Sequence, residues 1–271
     1  MGAYYQAVLK YPEDDRWLGY STWKFDNGAK LMEHSYVLNT YTNFITYKIY
    51  YKPVHLVWLC DYHEEEDFNW DTIPEGKIKK SEIKKARTAL PCVLYVNLTR
   101  KEYFSLKKIL QIAGKSLMKI KPPLYAELHK YKNTYFTTVI HPLPLLTNSE
   151  TESAGGGDYY PDYKLRSHWA RDLIVAFPDS AGLLIKKYGF KDISTEVPVE
   201  IDDYDFMLGS FRGEITFALA VLDYMKKMNA LNNPERAIIN ELTSISENGI
   251  PRLVFRRANY GKVKEILKEF C

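Results

Sequence analysis

Catalytic signatures are missing from these 271 residues. There is no Gly-x-Ser-x-Gly elbow, no Ser-His-Asp arrangement and no Gly-x-Gly-x-x-Gly dinucleotide fingerprint, so nothing points to a nucleophilic hydrolase or a nicotinamide enzyme. Cysteine is equally sparse. Cys60, Cys92 and Cys271 form no Cys-x-x-Cys pair and no zinc framework, and an odd count suits a reducing compartment. Asn97-Leu98-Thr99 matches a glycosylation sequon, which is accidental in a chain that shows no secretion signal. No apolar run reaches the roughly 20 residues that span a bilayer, so we expect no membrane partner and a cytoplasmic protein. A dominant charge is absent too: 37 basic residues face 34 acidic ones, a net charge of +3. That balance demands no nucleic-acid partner, although lysines concentrated in Lys77–Lys85 and Lys101–Lys121 form either a basic patch or solvated helix faces.

Aromatic residues, by contrast, are abundant. Twenty-two Tyr and 12 Phe suit strand faces and ligand surfaces, where a ring packs and a hydroxyl bonds. Apolar patterning predicts strands over 3–10, 17–25, 55–62, 91–98, 103–106, 135–140 and 173–177. Near-helical spacing of Leu31, Met32, Tyr36, Val37, Tyr41, Phe44 and Ile45 predicts one helix over 28–47, and 107–118 is amphipathic. The polar, lysine-rich stretch 68–90 reads as an excursion from the core. Beyond about residue 190 the pattern turns helical. An apolar stripe covers 214–228, and Asn233-Pro234 caps a helix that Asn248-Gly249 ends. A short strand over 252–256 and a final helix over 260–270 follow. The expected architecture is α+β: a body over 1–190 with a mixed or antiparallel sheet, and an appended helix-rich C-terminal unit over 191–271.

Four groups of residues carry candidate chemistry. Asp61, Glu64, Glu65 and Glu66 stand at the end of a strand, with His34 and His63 in neighbouring motifs. Such carboxylates hold Mg²⁺ or Mn²⁺, with Asp61, Glu64 and Glu65 as ligands, or they form a solvated acidic turn. Gly155, Gly156 and Gly157, followed by Asp158 and Tyr159, give either an anion-cradling loop or a tight connection. No Gly-Lys-Ser/Thr follows them, as a phosphate loop would need. Trp169 and Arg171, if extended, share a strand face and suit base stacking with a phosphate contact, whereas Asp172 faces away. The alternative is a core Trp beside a snorkelling Arg. His34 falls on the apolar side of its helix as a hydrogen-bonded core residue, and His141, before a proline, orders a turn.

The segments MGAYY, KLMEHSY (30–36), CDYHEEE (60–66), LYVNLTRKEY (94–103), IHPLPLLT (140–147), GGGDY (155–159) and HWARD (168–172) occur in one order. That series resembles a family of small, mostly uncharacterised proteins of bacteria, prophages and phages. Members begin Met-Gly-Gln-Tyr-Tyr and end soon after a Trp-Ala-x-Asp strand, so the resemblance covers about residues 1–177. Ala3 stands where the family has Gln and Cys60 where it has Gly, and 67–90 and 107–134 look inserted. The resemblance implies a shared fold and a shared pocket, and no particular reaction. The resulting expectation is a phage or mobile-element accessory protein. It would bind a nucleotide-type ligand or a host defence protein through Asp61, the 155–159 loop, Trp169 and Arg171, counter host immunity, and form a homo-oligomer. The alternatives are a metal-dependent phosphodiesterase using Asp61, Glu64, Glu65 and Asp158, and a structural oligomer.

Overall fold

The computed structural model describes residues 2–25, 27–37, 39–66, 68–87, 90, 92–119, 140–152, 154–155, 163–198 and 256–271. The fold is α+β. Its strands are β1 (Tyr5–Lys10), β2 (Leu18–Tyr20), β3 (Val54–Cys60), β4 (Val93–Asn97), β5 (Glu102–Ser105), β6 (Leu173–Pro178) and β7 (Lys191–Asp192). They form one mixed sheet in the order β2-β1-β3-β6-β4-β5-β7, in which β5 and β7 run parallel and every other pair antiparallel. The helices are α1 (Leu31–His34), α2 (Thr40–Ile49), α3 (Lys80–Ala86), α4 (Leu106–Lys119), α5 (Pro142–Leu146), α6 (Gly182–Lys187) and α7 (Tyr260–Phe270).

The central strands read as unbroken apolar runs because both faces of the sheet are covered. Tyr5, Ala7 and Leu9 of β1, Leu56, Trp58 and Cys60 of β3, Tyr95 of β4, and Ile174 and Ala176 of β6 share one face. There they pack with Tyr41, Phe44, Ile45 and Ile49 of α2 and with Leu143, Leu145 and Leu146 of α5. The alternate residues point the other way. Val8, Val57 and Leu59 lie with Phe68. Leu94, Val96, Val175 and Phe177 lie with Ile185 of α6 and with Val263, Ile266 and Leu267 of α7.

Helix α7 is therefore part of the body's second core layer. Asn259 caps it by accepting from the Lys262 amide, and the Asn259 amide donates to the Tyr51 hydroxyl at 2.8 Å. The Tyr260 hydroxyl donates to the Ser180 carbonyl at 2.8 Å. Strand β7 also belongs to the sheet, so the described parts of 191–271 pack on the body. The sequence-predicted helices over 214–228 and 234–248 and most of the strands over 252–256 and 135–140 lie outside the described residues.

Local chemistry revises several boundaries. The predicted helix over 28–47 is two helices, because the Asn39 side chain accepts from the Tyr41 and Thr42 amides and starts α2 afresh. The strand predicted over 17–25 shortens to three residues and gives way to a 3₁₀ turn at Thr22–Phe25. The 68–90 stretch is partly integral. The Gly19 amide donates to the Pro74 carbonyl and the Gly76 amide to the Gly19 carbonyl, which covers the β2 edge, and α3 packs on α2. No helix among the described residues is long and apolar enough to cross a membrane.

Candidate functional site

Strand β3 ends at Cys60, and the chain turns at once: the Asp61 amide donates to the Tyr4 carbonyl and the His63 amide to the Cys60 carbonyl. The acidic run that follows is folded back by the Phe68 amide, which donates to the Glu65 carbonyl at 3.1 Å, and by the side chain of Asn69. Its Nδ2 donates to the Glu65 and Glu66 carbonyls at 3.2 and 3.3 Å, and its Oδ1 accepts from the Asp71 and Thr72 amides at 3.0 and 3.1 Å. Inside this loop lies an open hollow of about 400 Å³, lined by Asp61, His63, Glu64, Glu65, Glu66, Asn69, Trp70 and Asp71. Five of its eight lining residues carry carboxylates.

Asp61 is partly engaged, since its Oδ1 accepts the Tyr4 amide at 2.9 Å. Glu65 is bound from behind: Arg171 Nη2 donates to Oε2 at 2.5 Å, which holds the Glu65 carboxyl below the usual carboxylate range. The Arg171 guanidinium lies 4.2 Å over the Phe68 ring, and His63 sits between the two walls. One nitrogen of that imidazole meets Glu150 Oε1 at 2.7 Å, and the other meets Glu65 Oε1 and Arg171 Nη2, each at 3.2 Å. Glu150 arrives beside β3 because Cys60 donates its amide to Ser149 Oγ at 2.9 Å, and Ser149 in turn donates to Glu150 at 3.1 Å.

Of the residues singled out in sequence, Asp61, Glu64 and Glu65 do come together, and Arg171 joins them through Glu65. Among the described residues, however, no group of three or more His, Cys, Asp or Glu is placed to hold a metal ion. Gly155 has φ 152°, a conformation favouring glycine, whereas Gly156, Gly157, Asp158 and Tyr159 lie outside the described residues.

The reading of Trp169 and Arg171 as neighbours on one strand face is corrected. Residues 164–171 form successive turns, and Ser167 and Arg171 adopt φ of 62° and 63°, which breaks strand alternation. Trp169 is wholly buried on the α2 face of the sheet, its ring centroid 5.5 Å from that of Phe104. Arg171 covers Phe68 on the opposite face. The Trp169 indole donates to Glu102 Oε2 at 2.9 Å, and Asp172 accepts from Arg100 and Asn97 at 2.6 and 2.8 Å. Each member of the motif thus ties the turn to a different element, and Trp169 has no free face for a base.

Both histidines read as structural are buried. Trp58 Nε1 can only donate, so His34 Nε2 accepts it, at 2.8 Å, and Nδ1–H donates to the Gly28 carbonyl at 3.2 Å. His141 Nδ1 accepts the Leu143 amide and so caps α5, which leaves Nε2–H to donate to the Tyr95 hydroxyl at 3.0 Å. Tyr95 then donates to Thr46 at 2.7 Å, and Thr46 to the Thr42 carbonyl at 2.9 Å. Both rings are neutral, and burial depresses their pKa values to about 4 for His34 and about 3 for His141.

Asn69, Trp70, Asp71 and Glu150 were not anticipated as site residues. The Asn-x-x-Thr spacing at 69–72 is the one local signal, since it marks an Asx turn. Glu150 has no such signal, because its place depends on the pairing of Asn148 and Ser149 with Trp58. No protein-family model, curated protein or solved structure matches the chain.

Proposed function

We propose that this is a non-catalytic binding protein whose acidic hollow receives a basic segment of a partner protein. The observation that carries this reading is the lining itself. Asp61, Glu64, Glu65, Glu66 and Asp71 converge on one space, and Arg171 offsets only Glu65. A field of that sign attracts Lys and Arg and repels phosphates, so it favours a protein partner over a nucleotide-type ligand. Trp70 in the wall gives an incoming guanidinium or ammonium a ring to lie against. The chemistry of Mg²⁺ or Mn²⁺ hydrolysis draws less support, because Asp61 and Glu65 already have amide and guanidinium partners.

A phage or mobile-element origin and an action against a host defence protein rest on the motif resemblance over residues 1–177. The hollow supplies the kind of contact such an inhibitor would use. The test is calorimetry of the whole chain with an arginine- and lysine-rich peptide of about ten residues and, separately, with ATP. The peptide binds, salt weakens it, and Glu64→Gln/Glu66→Gln/Asp71→Asn removes the heat, whereas ATP gives none. Binding of ATP in competition with the peptide, or peptide binding that survives the triple variant, overturns the reading.

A further inference from the structure

The net charge of +3 conceals a separation of charge along β3. The acidic hollow lies at its Cys60 end, and roughly 20 Å away, at about 3.3 Å per residue for the seven residues of β3, lies a tyrosine-floored patch of the opposite sign. The end of α2 and the residues after it, TYKIYYK (46–52), present three half-buried rings, Tyr47, Tyr50 and Tyr51, of which the last two meet edge to face at 4.9 Å. A cation from a different element stands over each ring. Lys85 of α3 lies 4.7 Å from the Tyr47 centroid, Arg256 lies 5.7 Å from Tyr50, and Lys262 in the first turn of α7 lies 5.4 Å from Tyr51.

These cations are exposed, and among the described residues none of the three forms an ion pair. Their neighbours differ: Lys48 is taken by Glu82 and Lys52 by Glu13. Three unpaired positive charges are thus held on aromatic rings, while the carboxylates beside them, Glu82 and Glu13, are taken up by Lys48 and Lys52, and that arrangement matches what a flexible anionic strand needs. Ammonium and guanidinium groups track phosphates, while rings and guanidinium planes give unpaired bases something flat to meet. A duplex keeps its bases stacked away from such rings, and the Asp and Glu side chains of an acidic peptide carry no aromatic ring to lay on them.

We propose that the Lys85, Arg256 and Lys262 patch over Tyr47, Tyr50 and Tyr51 is a contact surface for single-stranded nucleic acid. It is independent of the acidic hollow and its partner. The test is fluorescence anisotropy of the whole chain with a labelled oligothymidylate of about 20 nucleotides over a salt series starting at about 25 mM. Three phosphate contacts give a log K against log salt slope of about −2, at roughly 0.7 per contact for a single strand. Lys85→Ala/Arg256→Ala/Lys262→Ala lowers affinity by about tenfold or more at the lowest salt and flattens the slope. Lys85→Arg/Arg256→Lys/Lys262→Arg retains binding. Each of three results overturns the proposal: no binding at the lowest salt, full binding by the alanine variant, or displacement of the oligonucleotide by polyglutamate as readily as by unlabelled oligonucleotide.

Discussion

Acid should destabilise this protein through its two buried histidines before its carboxylates titrate. His34 and His141 are 0% and 2% exposed, and each has both ring nitrogens committed in the neutral form. A proton on His34 Nε2 would face the Trp58 N–H, and one on His141 Nδ1 would face the Leu143 N–H. The folded pKa values of about 4 and about 3 lie below the unfolded value near 6.5, so in the window between them only the unfolded chain binds the proton. Stability is therefore complete above about pH 6.5 and falls as the pH drops toward the folded values. Each histidine contributes a slope of about 1.4 kcal/mol per pH unit, or about 2 kcal/mol per ring between pH 7.5 and pH 5. Together that is about 4 kcal/mol of a total expected at about 5–15. Urea unfolding across this pH range, for the parent and for His34→Gln and His141→Asn, provides the assay. Each variant is less stable at pH 7.5 but loses about 2 kcal/mol less than the parent on going to pH 5. Parallel parent and variant curves would refute the neutral, buried assignment.

Two further outcomes follow from packing. Trp58→Phe removes the N–H that satisfies His34 Nε2 and leaves space at the centre of the main core, so it costs about 2–4 kcal/mol, readable as a lower urea midpoint with an unchanged m-value. Leu267→Ala, in the α7 face against Leu94, Val96 and Phe177, costs about 2–5 kcal/mol and moves a single cooperative transition. A separate early transition for that variant would mean that α7 is not integral to the body.

The sheet was legible in the sequence wherever an apolar run met a turn. The segments 55–62, 91–98 and 173–177 land on β3, β4 and β6 within two residues at each end, and the Tyr103 hairpin closes through Lys101 at φ 54°. Elements whose limits depend on a side chain bonding to the backbone were not legible. Asn39 splits the 28–47 helix, although nothing in the apolar spacing announces a cap there. The site divides in the same way. The carboxylates of 61–66 are visible as a run, but the hollow exists because Phe68 and Asn69 fold that run back and because Arg171 and Glu150 reach it from more than 80 residues away. The pairing of Trp169 with Arg171 was misread for a physical reason: alternation holds only in extended backbone, and left-handed residues at 167 and 171 send the two side chains to opposite faces.

The most direct test of the acidic hollow is amide hydrogen exchange of the whole chain, with and without a saturating arginine- and lysine-rich peptide. Slowed exchange centred on residues 61–71, absent in Glu64→Gln/Glu66→Gln/Asp71→Asn, is the expected result. Exchange unchanged at 61–71 and slowed at another surface would contradict it.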